Sequence, residues 1–161
     1  MLLAKHDIIF EVVPGITAAS ACATYAGIPL THRGLSQGVQ IVTGHSQADR
    51  PLDLDWNSLA DENKTTVIYM GLANIELIST KLIQTGLDKN TPAAAIQNGT
   101  TGKQNRVLTT LSQLAKESAE LQAPVIFVIG KVVTLANQLD WFVSENAIEG
   151  DFTDNEKFLH G

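Results

Sequence analysis

The chain has 161 residues, 44% of them hydrophobic and 17% charged, with a formal net charge of −6 and a pI near 5.1. That length allows one domain, or one domain and a piece of another, with enough apolar material to exclude wholesale disorder. An acidic chain without a basic run is a poor nucleic-acid binder, and no apolar stretch approaches the roughly 18 residues of a membrane-spanning helix.

The single cysteine, Cys22, can form neither an internal disulfide nor, alone, a zinc site, which fits a reducing cytoplasm. The N-terminus lacks the charged-then-apolar layout of a secretory signal. His6, His32, His45 and His160 are scattered without ligand spacing, so no metal site is expected.

Residues 8–13 (IIFEVV) form a β-rich run stopped by Pro14-Gly15, which predicts a strand and a turn. Residues 16–25 (ITAASACATY) predict a helix of small residues with Gly27 as its C-cap, open to close approach by another backbone. The polar, turn-rich stretch 29–38 is the best hinge. Residues 39–43 (VQIVT) are a second strand, followed by a loop with Asp49, Arg50, Pro51 and Asp53 and a short helix around 56–60.

A third strand is expected at 65–70 (TTVIYM). A helix follows at 73–85, with Ile75, Ile78, Leu82 and Ile83 at helical spacing and Gly86 closing it. Residues 92–97 (PAAAIQ) and 105–109 (NRVLT) read as strands, and 111–121 as a helix with Leu111, Leu114, Ala115 and Ala119 on one face. Residues 124–129 (PVIFVI) read as a buried strand, followed by Gly130 and the apolar run 132–135. Beyond Trp141-Phe142 the composition turns acidic, and 144–161 reads as a loose tail. Strands alternating with helices predict an α/β layer fold.

No catalytic motif stands out: there is no Gly-x-Gly-x-x-Gly, P-loop, His-Glu-x-x-His or nucleophile elbow. Three spots fall at strand ends, where α/β folds place ligands: residues 14–18, 69–71 and 98–100. Each alone reads equally as an ordinary glycine turn; three on one chain favour a cleft that binds through backbone groups. Met70 suits either core packing or contact with a sulfur-bearing or aromatic ligand. His32-Arg33 reads locally as a solvated pair, with a carboxylate clamp as the functional alternative. Cys22 reads as core rather than nucleophile, having no cationic neighbour in the local sequence. Asp53, Asp55, Asp61 and Glu62 read as solvated charges rather than an acid/base pair.

The string from Glu11 to Ser20 (EVVPGITAAS) resembles a signature of the uroporphyrinogen-III C-methyltransferases. Further blocks follow in the family's order: residues 25–33 (YAGIPLTHR), 42–45 (VTGH), 67–73 (VIYMGLA), Thr91-Pro92 leading to 97–100 (QNGT), 130–133 (GKVV) and 139–142 (LDWF). Each block is weak alone; the ordered series over about 8–142 is specific. The resemblance implies transfer of methyl groups from S-adenosyl-L-methionine (SAM) to C2 and C7 of uroporphyrinogen III, giving precorrin-2 for sirohaem or cobalamin synthesis. It also implies two α/β domains with the active site in the cleft between them, a homodimer, no metal and a cytoplasmic location.

By motif, Thr17 and Ala18 would contact SAM beside the first turn. Met70 would line the SAM pocket and touch substrate, and Ala94 and Gly99 would bring backbone close to the adenosine. Arg33 would hold the substrate, whose eight carboxylates reverse the local reading of that residue. The resemblance divides the chain into 1–33, a remnant strand and helix of the N-terminal domain, 34–142, a C-terminal α/β domain with a mixed sheet and flanking helices, and 143–161, an acidic tail.

Three family features are absent from these residues: the Gly-x-Gly-Pro-Gly-Asp turn, the Gly-Gly-Asp-Pro segment and an arginine–glutamate segment. Asn105 also stands where many members have arginine. The missing features belong to the half that supplies the proposed acid/base residues, so no catalytic residue is assigned and the isolated chain is expected to be inactive or nearly so. Two alternatives stand beside this reading: another precorrin methyltransferase, and a non-catalytic dimerisation or tetrapyrrole-binding module.

Overall fold

A computed structural model of the chain describes residues 2–45 and 51–144. Asp49, Arg50, His160 and the acidic tail from 145 onward, all named above, lie outside the described residues. The helices are α1 (Leu2–Lys5), α2 (Ala18–Tyr25), α3 (Trp56–Leu59), α4 (Ile75–Gln84) and α5 (Leu114–Glu117). The strands are β1 (Gly38–Thr43), β2 (Lys64–Tyr69), β3 (Pro92–Gln97), β4 (Asn105–Thr110) and β5 (Val125–Ile129). Short 3-10 turns occupy Leu72–Asn74 and Lys131–Leu135.

The strands form one five-stranded mixed sheet in the order β1-β2-β5-β3-β4. Only β1 and β2 are parallel; β2–β5, β5–β3 and β3–β4 are antiparallel. The carboxyl ends of β1, β2 and β3 therefore share one end of the sheet with the amino ends of β4 and β5. This is the α/β fold with a mixed sheet and flanking helices that the sequence predicts.

β5 explains its own apolar run. It lies in the middle of the sheet and every one of its residues is buried, so both faces demand hydrophobic side chains. Val125, Phe127 and Ile129 join the core under α4 and α5, with Ile68, Ile78 and Leu82. Ile126 and Val128 join the opposite core with Val67, Ala94 and Ile96. The alternation is the two-residue period of a strand.

The second core is where α2 docks. Ala19, Ala23 and Ala26 are fully or almost fully buried in it beside Ala94 and Val132. Alanine on alanine lets the helix sit close to the sheet. The helix ends as its sequence predicts: Gly27 has φ +69°, and the N–H of Ile28 donates to the Ala23 carbonyl at 2.8 Å, the six-to-one bond of a Schellman cap. A side chain at Gly27 would meet the Ala136 carbonyl oxygen at 2.6 Å, so only glycine fits. The helix read as a remnant of a preceding domain is thus packed on this sheet.

Two expected elements differ. Residues 8–13 form no strand: no neighbouring strand pairs with them, and β propensity without a ladder leaves the backbone unpaired. Ile9, at 98% exposure, Phe10, Val12 and Val13 all face solvent. The helix expected over 111–121 shrinks to α5, flanked by turns. Ser118 donates its hydroxyl to the Leu114 carbonyl at 2.6 Å, and serine competing for backbone groups favours helix ends. Leu111, Leu114 and Leu121 are buried nonetheless, so packing satisfies the apolar face without a long helix.

Candidate functional site

A hollow of about 800 Å³ opens at the sheet end where β1, β2 and β3 finish. Ala18 and Cys22 of α2 form one side, and Tyr69 and Met70 at the end of β2 form another. Asn98, Gly99 and Thr101 after β3, with Pro124 and Ile126 at the start of β5, complete it. Its size lies within the roughly 300–1,000 Å³ of small-ligand sites, which are mostly apolar with a few placed polar groups.

The polar groups are backbone-centred. Thr17 caps α2, and the N–H of Ala19 donates to the Tyr69 hydroxyl at 2.7 Å and to Thr17 Oγ1 at 3.4 Å. Tyr69 Oη and Thr17 Oγ1 lie 2.5 Å apart. A tyrosine from the sheet thus joins the N-cap threonine in satisfying the first turn of the helix. Met70 follows with φ +51° and is 62% exposed, its side chain turned out beside the hollow. Asn98 and Thr100 are also left-handed, with φ +49° and +72°. Non-glycine residues held in that region collect at ligand sites, because only a structure that over-determines them keeps them there.

Gly99 is required by close approach. A Cβ on it would stand 2.5 Å from Cys22 Sγ and 2.9 Å from Cys22 Cβ. Burial raises the Cys22 thiol above the usual thiol range, against a smaller lowering from a backbone hydrogen bond. The thiol is therefore protonated at neutral pH, which fits the core reading and not a nucleophile.

The structure brings together Thr17, Ala18, Met70 and Gly99. It does not bring Ala94 or Arg33 to them. Ala94 is fully buried at mid-strand in β3, paired with Leu108 on one side and Val128 on the other, so neighbouring strands flank its backbone. Arg33 is exposed in the turn closed by the His32–Ser36 bridge. The Ser36–Thr65 hydroxyl contact and the Gln37–Asn63 backbone bond hold that turn at the starting ends of β1 and β2, away from the hollow. Tyr69 opens the strand-end block 69–71 but carries no role by motif, because its hydroxyl's partners are visible only in the fold.

A second hollow, about 460 Å³, lies at the far end of the sheet, with a lining as much apolar as polar. Four of its five charged side chains pair with one another, Lys64–Asp61 at 3.2 Å and Lys131–Glu62 at 2.9 Å, and Asp88 accepts from the Asn90 N–H at 2.8 Å. Among the described residues no three His, Cys, Asp or Glu side chains gather as a metal site. No helix of the described residues is long and apolar enough to cross a membrane.

The family profile of the tetrapyrrole (corrin/porphyrin) methylases matches residues 1–115. The chain belongs to the tetrapyrrole methylase family. It is 48% identical to siroheme synthase 2 of Pectobacterium atrosepticum over 145 residues, 90% of this chain and 31% of that protein. It is 48% identical to siroheme synthase of Nitrosospira multiformis over 150 residues, 92% of this chain and 32% of that protein. The crystal structure of uroporphyrin-III C-methyl transferase from Thermus thermophilus complexed with S-adenyl homocysteine superposes with a TM-score of 0.70 and 32% identity, over 81% of this chain and 54% of that one. A cobalt precorrin-4 methyltransferase of cobalamin biosynthesis shares the fold, with a TM-score of 0.71 and 22% identity over 82% of this chain and 56% of that one. The chain spans about a third of the length of the siroheme synthases it matches and about half of the crystallised methyltransferases.

Proposed function

We propose that this chain carries one wall of a SAM-dependent methyltransferase that converts uroporphyrinogen III to precorrin-2, and that the facing wall comes from sequence beyond these 161 residues. One observation carries the reading: Ala18, Met70 and Gly99 line a single, largely apolar hollow of nucleoside size, with Thr17 held at its edge against the hydroxyl of the lining Tyr69. Residues 34–142 act as the C-terminal domain, and residues 1–33 reach toward the N-terminal one. The enzyme acts as a homodimer in the cytoplasm.

The hollow fits the group. SAM supplies an activated methyl on a sulfonium when bound. The chain's part is to bind, orient and exclude water. The α2 first turn, held by Tyr69 and Thr17, offers a fixed polar edge, and the glycine at 99 lets backbone approach closely. Met70, polarisable and turned outward, lies where both cofactor and macrocycle would pass. Methyl transfer from sulfur to carbon is an in-line displacement, for which alignment at about 3–3.5 Å and water exclusion give most of the acceleration. A base must then take a proton from the macrocycle; among the described residues the hollow's lining holds no His, Asp, Glu or Lys to take it. One wall alone neither aligns nor encloses, so the isolated chain is inactive.

A chimera joining the N-terminal half of a siroheme synthase methyltransferase module to this chain tests the function. The expected product from uroporphyrinogen III carries two added methyl groups, and the unfused chain gives none. A chimera that binds S-adenosylhomocysteine yet leaves uroporphyrinogen III unmethylated would refute the substrate assignment.

A further inference from the structure

Gln104 is only 7% exposed, unusual for an amide side chain that follows a surface turn. Both ends of the amide are used. Its Oε1 accepts from the Thr100 N–H at 2.8 Å, and its Nε2 donates to the Tyr25 carbonyl at 3.0 Å. Thr100 belongs to the turn whose Asn98, Gly99 and Thr101 line the hollow, and Tyr25 ends the helix whose Ala18 and Cys22 line the facing side. Gln104 itself does not line the hollow.

The two groups it holds need holding. Thr100 sits at φ +72°, a backbone state that a β-branched residue keeps only under constraint. The Tyr25 carbonyl is one of the last of α2, which the helix itself leaves without partners. Its neighbours are held too: Trp141 Nε1 donates to the Thr24 carbonyl at 3.0 Å, and Arg106 donates to the Ala26 carbonyl at 2.7 Å. Arg106 is in turn fixed by a two-point pair with Asp140, at 3.2 and 2.8 Å. These two clasp the helix end to the 140–141 segment. Gln104 ties it to the turn across the hollow.

We infer that Gln104 is a positioning residue of the cofactor hollow, setting the separation between α2 and the 98–101 turn and so the fit of Gly99 against Cys22. The inference rests on the cofactor reading above, yet its main test needs no ligand.

Cys22 is the chain's only cysteine, so its rate of modification by a disulfide reagent such as DTNB reports opening of the Gly99 contact. In the full chain, Gln104→Met removes both hydrogen bonds at similar volume and is expected to raise that rate at least tenfold, with the far-UV circular dichroism retained. Gln104→Glu keeps an acceptor for Thr100 but loses the donor to Tyr25, and is expected to give a smaller rise. Ile78→Val, in the core on the other face of the sheet, is expected to leave the rate unchanged. A wild-type rate in Gln104→Met, or an equal rise in Ile78→Val, overturns the inference; if Gln104→Met fails to fold, a wild-type rate in Gln104→Glu overturns it. Titration with S-adenosylhomocysteine separates the two claims. A folded wild type that does not bind sinks the cofactor reading, and the labelling rates still decide whether Gln104 sets the fit of the turn against α2. A wild type that binds, with Gln104→Glu binding within twofold of it, overturns the positioning role.

Discussion

The hydroxyls of Tyr69 and Thr17 stand 2.5 Å apart, and the N–H of Ala19 donates to the tyrosine oxygen at 2.7 Å. Residues 52 positions apart in sequence thus close the first turn of α2 together. Tyr69→Phe removes the shorter of the two acceptors and leaves Thr17 Oγ1 at 3.4 Å. The expected loss is about 0.5–1.5 kcal/mol, the usual net value of such a bond, read as a lower denaturant midpoint at unchanged slope. A shift within error would mean that the threonine caps the helix unaided.

Gly99→Ala is expected to destabilise, because its Cβ would stand 2.5 Å from Cys22 Sγ. Cys22→Ala vacates that space and should recover part of the loss. A double-mutant cycle is expected to return a coupling of about 1 kcal/mol, within the range of about 0.5–3 kcal/mol for residues in contact. Additive effects would show that the turn and the helix are not in contact in solution.

Modification of Cys22 should also depend on pH in a defined sense. Burial raises the folded thiol above its usual range, so the native chain stays slow to react through about pH 8.5, where a free thiol ionises, and speeds up only above it. The unfolded chain loses this proton first, so stability is fully present below that pH and declines as pH rises past it. A native chain reacting as fast as a free thiol at pH 7.5 would contradict this.

Ser79 is 5% exposed, and its hydroxyl has no hydrogen-bond partner among the described residues. An unsatisfied buried hydroxyl costs roughly 1–3 kcal/mol of desolvation. Ser79→Ala is therefore expected to be neutral or to stabilise by up to about 1 kcal/mol, measured by urea unfolding. A loss of similar size would reveal a partner for the hydroxyl in solution.

Residues 8–16 present Ile9, Val12, Val13 and Ile16 to solvent, each at least 80% exposed. An unpaired, β-prone apolar segment is a template for association. The double substitution Ile9→Lys, Val13→Lys is expected to change stability by less than about 0.5 kcal/mol and to lower self-association in sedimentation. A large loss of stability would mean that the segment packs on the domain.

Much of this fold was legible in the residues. The run at 124–129 reads as a buried strand, and Ile75, Ile78 and Leu82 mark the buried stripe of α4. What failed did so for lack of neighbours: residues 8–13 have strand chemistry but no strand beside them. Arg33 reads locally as a solvated residue and becomes a substrate clamp only through the family resemblance; its turn lies at the end of the sheet away from the hollow, and sequence order says nothing about which end a turn occupies. Ala94 shares a strand with the hollow's rim, yet mid-strand backbone is already committed to the ladder. Gln104 could not be read at all, since a buried amide gripping two distant backbone groups leaves no local pattern.

The central claim is that Thr17, Ala18, Met70 and Gly99 form a wall that holds the nucleoside of the methyl donor. Calorimetric titration of the folded chain with S-adenosylhomocysteine tests it most directly. We expect saturable binding at one site, weakened at least tenfold by Gly99→Val. A folded chain that shows no binding, or binding that Gly99→Val leaves unchanged, would contradict the account.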